Sequence, residues 1–228
     1  MAVGKFRLWR YVAVALALLL GAFVLWRVIL GWAPSRDAYP DQGIVVDAHH
    51  GALDWPMLAA TGVDFAYIVA TDGVKPRDAR FAVNVAGAAE AGVRFGALHR
   101  YDLCRLASDQ ATSFITTVPR NDAALPAAVE FRFTDTCSGK PDRALVLSEV
   151  ATFLSQIEAH LGKPAILKIS PEFEEQYKLS TSIDRTVWLE KTWLLPDYAA
   201  RPWVIWSANP QRHIDGVSEP VEWAVVRQ

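Results

Sequence analysis

From Gly43 to the C-terminus, short apolar runs alternate with segments whose apolar residues recur at helical spacing. Gly43–Val46 is a short apolar strand, and Asp54–Thr61 is a helix entered through an Asp cap and ended near Gly62. Asp64–Ala70 follows as a buried strand carrying Phe65, Tyr67, Ile68 and Val69. Asp78–Ala91 places Phe81, Val85, Ala88 and Ala89 on one helical face before Gly92. The same reading gives strands at Val93–His99, Ala127–Phe133, Ala165–Ile169, Thr186–Leu189 and Trp203–Trp206. It gives helices at Ser108–Val118, Ala144–Leu161 and Glu172–Lys178, with Pro119 and Gly162 as stops. Strands separated by helices predict parallel pairing through right-handed crossovers, and about seven or eight of them suit a closed or nearly closed β/α barrel.

The first forty residues follow another pattern. Tyr11 to Trp26 carries no charge, Arg27 interrupts it, and Val28–Trp32 resumes the apolar run. The span of about 22 residues is long enough for a membrane helix, which needs roughly 20. Arg27 can snorkel, and Trp26 and Trp32 suit an interface. Lys5, Arg7 and Arg10 precede the span, so the positive-inside rule puts the N-terminus in the cytoplasm and the rest outside. A cleaved signal peptide is the rival, with Gly31-Trp32-Ala33 as a weak cleavage site; the length of the run favours an uncleaved anchor. The expected organisation is a basic tail (1–10), a transmembrane signal anchor (11–32), a linker (33–42) and one domain (43–228). The protein is thus expected in the inner (plasma) membrane, single-pass, with its domain on the periplasmic or extracytoplasmic side.

The formal net charge of −2 and the sequence pI near 6.2 show no basic excess, which argues against nucleic acid as a partner. Cys104 and Cys137 are the only cysteines. In an extracytoplasmic domain two cysteines most often pair, and this pair would close a loop of about 34 residues, worth ~3–4 kcal/mol in the chain-entropy model. They lack the spacing and histidine partners of a metal site, so no metal is expected.

The stretch Gly43-Ile44-Val45-Val46-Asp47-Ala48-His49-His50-Gly51-Ala52-Leu53-Asp54-Trp55 resembles the opening G-I-D-V-S-H-H-Q-G-x-I-D-W of the glycoside hydrolase family 25 lysozymes. Tyr67-Ile68-Val69-Ala70-Thr71-Asp72-Gly73 is similar to the family's y-I-K-A-T-E-G. Asp78, Phe81, Asn84 and Ala91–His99 resemble D-x-x-F-x-x-N…A-G-l-x-v-G-A-Y-H. Gln110-Ala111, Phe114 and Val118-Pro119 match the next helix, Leu125–Arg132 aligns with L-P-P-x-L-D-x-E, and Pro202–Trp206 resembles P-w-x-x-W-Q. The resemblance implies a TIM-like (β/α) barrel that acts on peptidoglycan or a related cell-wall glycan without a cofactor.

The departures concern the chemistry. Family members cleave after N-acetylmuramic acid using the Asp of G-I-D and the D-x-E pair, the Glu acting as proton donor. Here the first Asp is Val45, and D-x-E reads Glu130-Phe131-Arg132. An arginine stays protonated and cannot be a general acid. Asp47, two residues beyond Val45, points to the same strand face. Glu130 and Asp47 are therefore the candidate catalytic carboxylates, although Glu130 could instead pair with Arg132. His49, Asp72, His99, Tyr101, Arg132 and Trp206 are the candidate substrate ligands, the other tryptophans of the domain being read as packing. Lys168 is read as an exposed strand-end lysine. Two functions remain open: a muramidase-like retaining hydrolase with a rearranged site, and a catalytically inactive pseudoenzyme that binds cell-wall glycan or scaffolds envelope proteins.

Overall fold

The computed structural model describes residues 2–135, 137 and 139–228, with the side chains of residues 2–8 and 25 left out. Lys5 and Arg7 of the expected basic flank are among the side chains left out. The chain forms two compact units, Met1–Trp32 and Ala33–Gln228. The first is one helix, α1 (Ala2–Gly31). Its Trp9–Gly31 stretch has mean hydropathy 2.5 and is long and apolar enough to cross a membrane, a test that a signal sequence also passes.

The second unit is a closed barrel of eight strands in sequence order. Strand β1 (Gln42–Val46) is followed by a 3-10 turn and helix α2 (Trp55–Ala60). Next come β2 (Phe65–Asp72), α3 (Phe81–Glu90), β3 (Arg94–Arg100), α4 (Ala107–Thr117) and β4 (Ala128–Phe131). Helix α5 (Arg143–Leu161) leads to β5 (Ile166–Ile169), and α6 (Pro171–Tyr177) and α7 (Leu179–Ser182) lead to β6 (Thr186–Glu190). The barrel ends with β7 (Ile205–Arg212) and β8 (Val221–Val226). Strands β1 to β7 pair in parallel, whereas β8 runs antiparallel to both β7 and β1.

Local signals behave as their chemistry requires. Asp54 caps α2 through the backbone N–H of Met57 at 3.0 Å. Gly162 ends α5 in the left-handed region at φ 72°, where a side chain would be strained. Gly96 leaves room for the Tyr67 ring, which a Cβ would meet at 2.6 Å. Inside the barrel, Val45, Phe65, Tyr67, Leu98, Trp188 and Ile205 form a packed apolar floor. Val45, which the motif resemblance sets against the family's aspartate, is thus a floor residue.

Three expectations are modified. The strand expected at Trp203–Trp206 begins at Ile205 and runs on to Arg212. β8, for which the sequence reading gave no range, closes the barrel. The segment expected as a linker, 33–42, is packed on the barrel. Arg36 hydrogen-bonds Asp64 at 3.0 Å, Gln42 Nε2 donates to the carbonyls of Pro34 and Tyr39, and Tyr39 sits edge-on to Trp206.

Candidate functional site

The inward positions that follow the apolar floor carry charge. Side chains alternate across a strand, so Val45 puts Asp47 on the inner face, Leu98 puts Arg100 there, and Ala128 puts Glu130 there. On β5, β6 and β7 the same parity places Lys168, Glu190 and Ser207. The register sets Arg100 beside Glu130 and Glu130 beside Lys168. Because β8 is antiparallel, its beginning lies at the mouth where the other strands end, with Glu222 opposite Val45.

Lys168 is the hub. Only 1% of its side chain is exposed, yet its Nζ lies 2.6 Å from Glu130 Oε1, 2.8 Å from Glu222 Oε2 and 3.1 Å from Glu190 Oε1. The strand-end lysine expected to be exposed is therefore at the centre of the site. Burial opposes its charge, but the three carboxylates, Glu130 foremost, raise its pKa well above the ordinary lysine value. Arg100 Nη2 donates to Asp47 Oδ2 at 2.9 Å, and its Nε to Glu130 Oε2 at 3.3 Å. Arg132 reaches Glu130 at 3.8 Å and Glu190 at 3.4 Å.

Glu130 and Asp47, the two candidate carboxylates, are thus brought together on one guanidinium. Burial would raise the Glu130 pKa, but Lys168, Arg132 and Arg100 overcome that and hold it at about 2. The hydrogen bond with His50, 2.9 Å away, and the contact with Arg100 outweigh burial at Asp47 and keep it well below the carboxylate range. Both are ionised at any ordinary pH, so neither is set up to donate a proton.

Glu222 differs. Burial raises its pKa; Lys168 opposes this, and the negative neighbours Glu190 and Glu130 add to the rise. It also accepts a short hydrogen bond from Ser207 Oγ, which in turn accepts one from Trp188 Nε1 at 2.8 Å. Glu190 and Glu222 line a cleft of about 610 Å³ together with Arg132, Ser170, Glu172, Lys191 and Ser207. Glu130, 4% exposed, lies beneath it.

The remaining expected ligands divide. Arg132, half exposed, lines the cleft. His49 is exposed on the turn after β1, and Asp72, at the end of β2, is held by Lys75 at 2.8 Å. Three others are corrected. His99 is fully buried between Thr71 Oγ1 (2.7 Å) and Gln110 Oε1 (3.2 Å) and stacks on Phe153; burial lowers its pKa to about 4. Tyr101 is buried against Phe131 and Phe153. Trp206 has the opposite parity to Ser207, so it faces away from the barrel interior and packs on Tyr39 and Trp203, with its Nε1 donating to the Lys191 carbonyl at 2.7 Å. Lys168, Glu190, Glu222, Arg100 and Ser207 were not among the expected site residues. Strand parity alone points four of them inward, whereas Glu222 needed the direction of β8.

Cys104 and Cys137 are joined as a disulfide that ties the loop after β3 to the loop after β4.

Residues 44–217 match the profile of glycosyl hydrolases family 25. This chain belongs to that family. A family 25 glycosyl hydrolase from Bacillus anthracis has the same architecture, with a TM-score of 0.77 and 25% identity over 85% of this chain and 91% of that one. The bacterial lysozyme from Streptomyces coelicolor superimposes with a TM-score of 0.71 at 21% identity, over 82% and 91% of the two chains. In sequence, the uncharacterized protein YegX of Escherichia coli K12 is 27% identical over 199 residues, spanning 82% of this chain and 70% of that protein. Lysozyme M1 of Streptomyces globisporus is 41% identical over 58 residues, a quarter of this chain.

Proposed function

We propose that this protein is a membrane-tethered family 25 domain that engages the glycan strand of peptidoglycan at the barrel mouth, with the family's own acid route closed. The observation that carries the reading is Arg132 at the acid position, with Glu130 beside it locked in ionised form. Peptidoglycan as the target is supported by the lysozyme relatives and by a cleft of the size that takes small ligands, about 300–1,000 Å³. The cleft presents carboxylates, cations and a hydroxyl, all able to hydrogen-bond sugar hydroxyl and acetamido groups. Asp47, Arg100, Glu130 and Lys168 form the rigid ionic base beneath it.

The test is co-sedimentation of the full-length protein, in detergent, with purified sacculi. The expected result is protein in the pellet, displaced by soluble peptidoglycan oligosaccharides. Protein left in the supernatant overturns the reading and favours an envelope scaffold without glycan affinity. A second reading, the catalytically inactive binding module, is favoured by the sharing of Asp47 and Glu130 on Arg100, which occupies both with one cation.

A further inference from the structure

Four carboxylates and three permanent cations meet at the mouth, and the cations are unevenly distributed. Glu130 touches three of them: Lys168, Arg100 and Arg132. Glu190 touches Lys168 and Arg132. Asp47 has Arg100 and the His50 ring. Among the described residues, Glu222 pairs with Lys168 alone, and shares it with two other glutamates. A proton held by this network settles on the carboxyl with the least compensation, and that is Glu222.

We infer that Glu222 and Glu190 form a displaced two-carboxylate centre for glycosidic hydrolysis, with Glu222 as proton donor and Glu190 as attacking anion. The inference rests on the reading that the cleft takes the glycan strand. Both side chains line that cleft and are partly open, 20% and 18% exposed. Carboxylate oxygens of Glu130, Glu190 and Glu222 all lie within 4.8 Å of one another. That nearest-oxygen spacing is closer to the separation of retaining glycosidases, roughly 5–5.5 Å between carboxyl groups, than to the roughly 6.5–9.5 Å of an inverting site. One oxygen of Glu190 is buried without a hydrogen bond, 3.1 Å from Lys168 Nζ, and the other lies 3.4 Å from Arg132 Nη2, so two cations hold the carboxylate in place at the cleft. Ser207 and Trp188 orient the Glu222 carboxyl from the opposite side. The opposed environments of Glu222 and Glu130 are those that separate an acid from a permanent anion.

The chemistry balances in two steps. In the first, the bond between C1 and the glycosidic oxygen breaks, the leaving oxygen takes the Glu222 proton, and a Glu190 oxygen bonds to C1. In the second, the Glu222 carboxylate takes a proton from water, the water oxygen bonds to C1, and Glu190 leaves as carboxylate. The sum is one glycoside and one water giving two sugars.

The test compares full-length wild-type, Glu222→Gln, Glu222→Asp and Glu190→Ala proteins with purified sacculi, measuring both co-sedimentation and new reducing ends. Wild type should sediment and release fragments. Glu222→Gln should sediment but release about 10²–10⁴-fold less, and Glu222→Asp should recover part of the rate with a shifted acid limb in its pH profile. Glu190→Ala should be silent until azide is added, which then appears as a glycosyl azide. Wild-type protein that sediments and releases nothing overturns the displaced centre while leaving glycan binding intact. Unchanged release in Glu222→Gln does the same. Wild-type protein that fails to sediment overturns the glycan reading itself, and this inference with it.

Discussion

A lysine that is 1% exposed and holds three glutamates costs a large desolvation energy, which the carboxylates offset only while all partners are present. Removing the cation leaves buried Glu130 and its neighbours Glu190 and Glu222 without the partner they share. Lys168→Met is therefore expected to destabilise the domain by ~3–5 kcal/mol, the range for breaking a buried pair. Thermal unfolding at neutral pH checks this, and the loss should shrink in acid as the glutamates protonate. A melting temperature within a degree or two of wild type would mean that the contacts carry little stabilisation. The role of Lys168 was hidden because its flanking residues, Ile166, Leu167 and Ile169, are apolar, and a lysine in such a run is most simply read as a strand end. Only the closed barrel, bringing glutamates from β4, β6 and β8 to one point, gives it partners.

At the level of the element, short apolar runs found β1 to β6 and helical spacing found the main helices to within a few residues, because strands such as β1, β2, β4 and β5 are buried on both faces and Gly, Pro or Asp punctuates the element ends. Glu130 and Asp47 were also legible, since parity from Val45 and Ala128 fixes their direction. Trp206 was not, because the run Trp203-Val204-Ile205-Trp206 is apolar at every position and the one-residue offset that decides its face leaves no trace in that pattern. His99 has the same ambiguity: it falls between Leu98 and Arg100, and its outward parity buries it under α4 and α5 against Gln110 and Phe153. β8 carries the largest consequence. Its antiparallel direction is a property of barrel closure rather than of its own residues, and that direction delivers Glu222 to the mouth.

For the whole molecule, a 23-residue apolar stretch, Trp9–Gly31, precedes a domain whose compact unit begins at Ala33. We propose that this helix is an uncleaved anchor holding the barrel on the extracytoplasmic side, where the Cys104–Cys137 disulfide is stable. The full-length protein is then expected to stay with membranes through an alkaline carbonate wash. Release as a shorter soluble form would identify the segment as a signal sequence instead. Tethering suits action on a polymer that lies beside the membrane, since a short connection raises the effective concentration of a weak glycan-binding site.

The account turns on where the barrel mouth keeps its proton, and a pH titration of side-chain carboxyl carbons by NMR, with glutamates ¹³C-labelled, reads that directly. The wild-type protein should show one glutamate carboxyl titrating above the ordinary range and lost in Glu222→Gln. Another should remain ionised down to about pH 2 and vanish in Glu130→Gln. An elevated titration that disappears in Glu130→Gln and survives in Glu222→Gln would contradict the account, because the acid would then sit at Glu130.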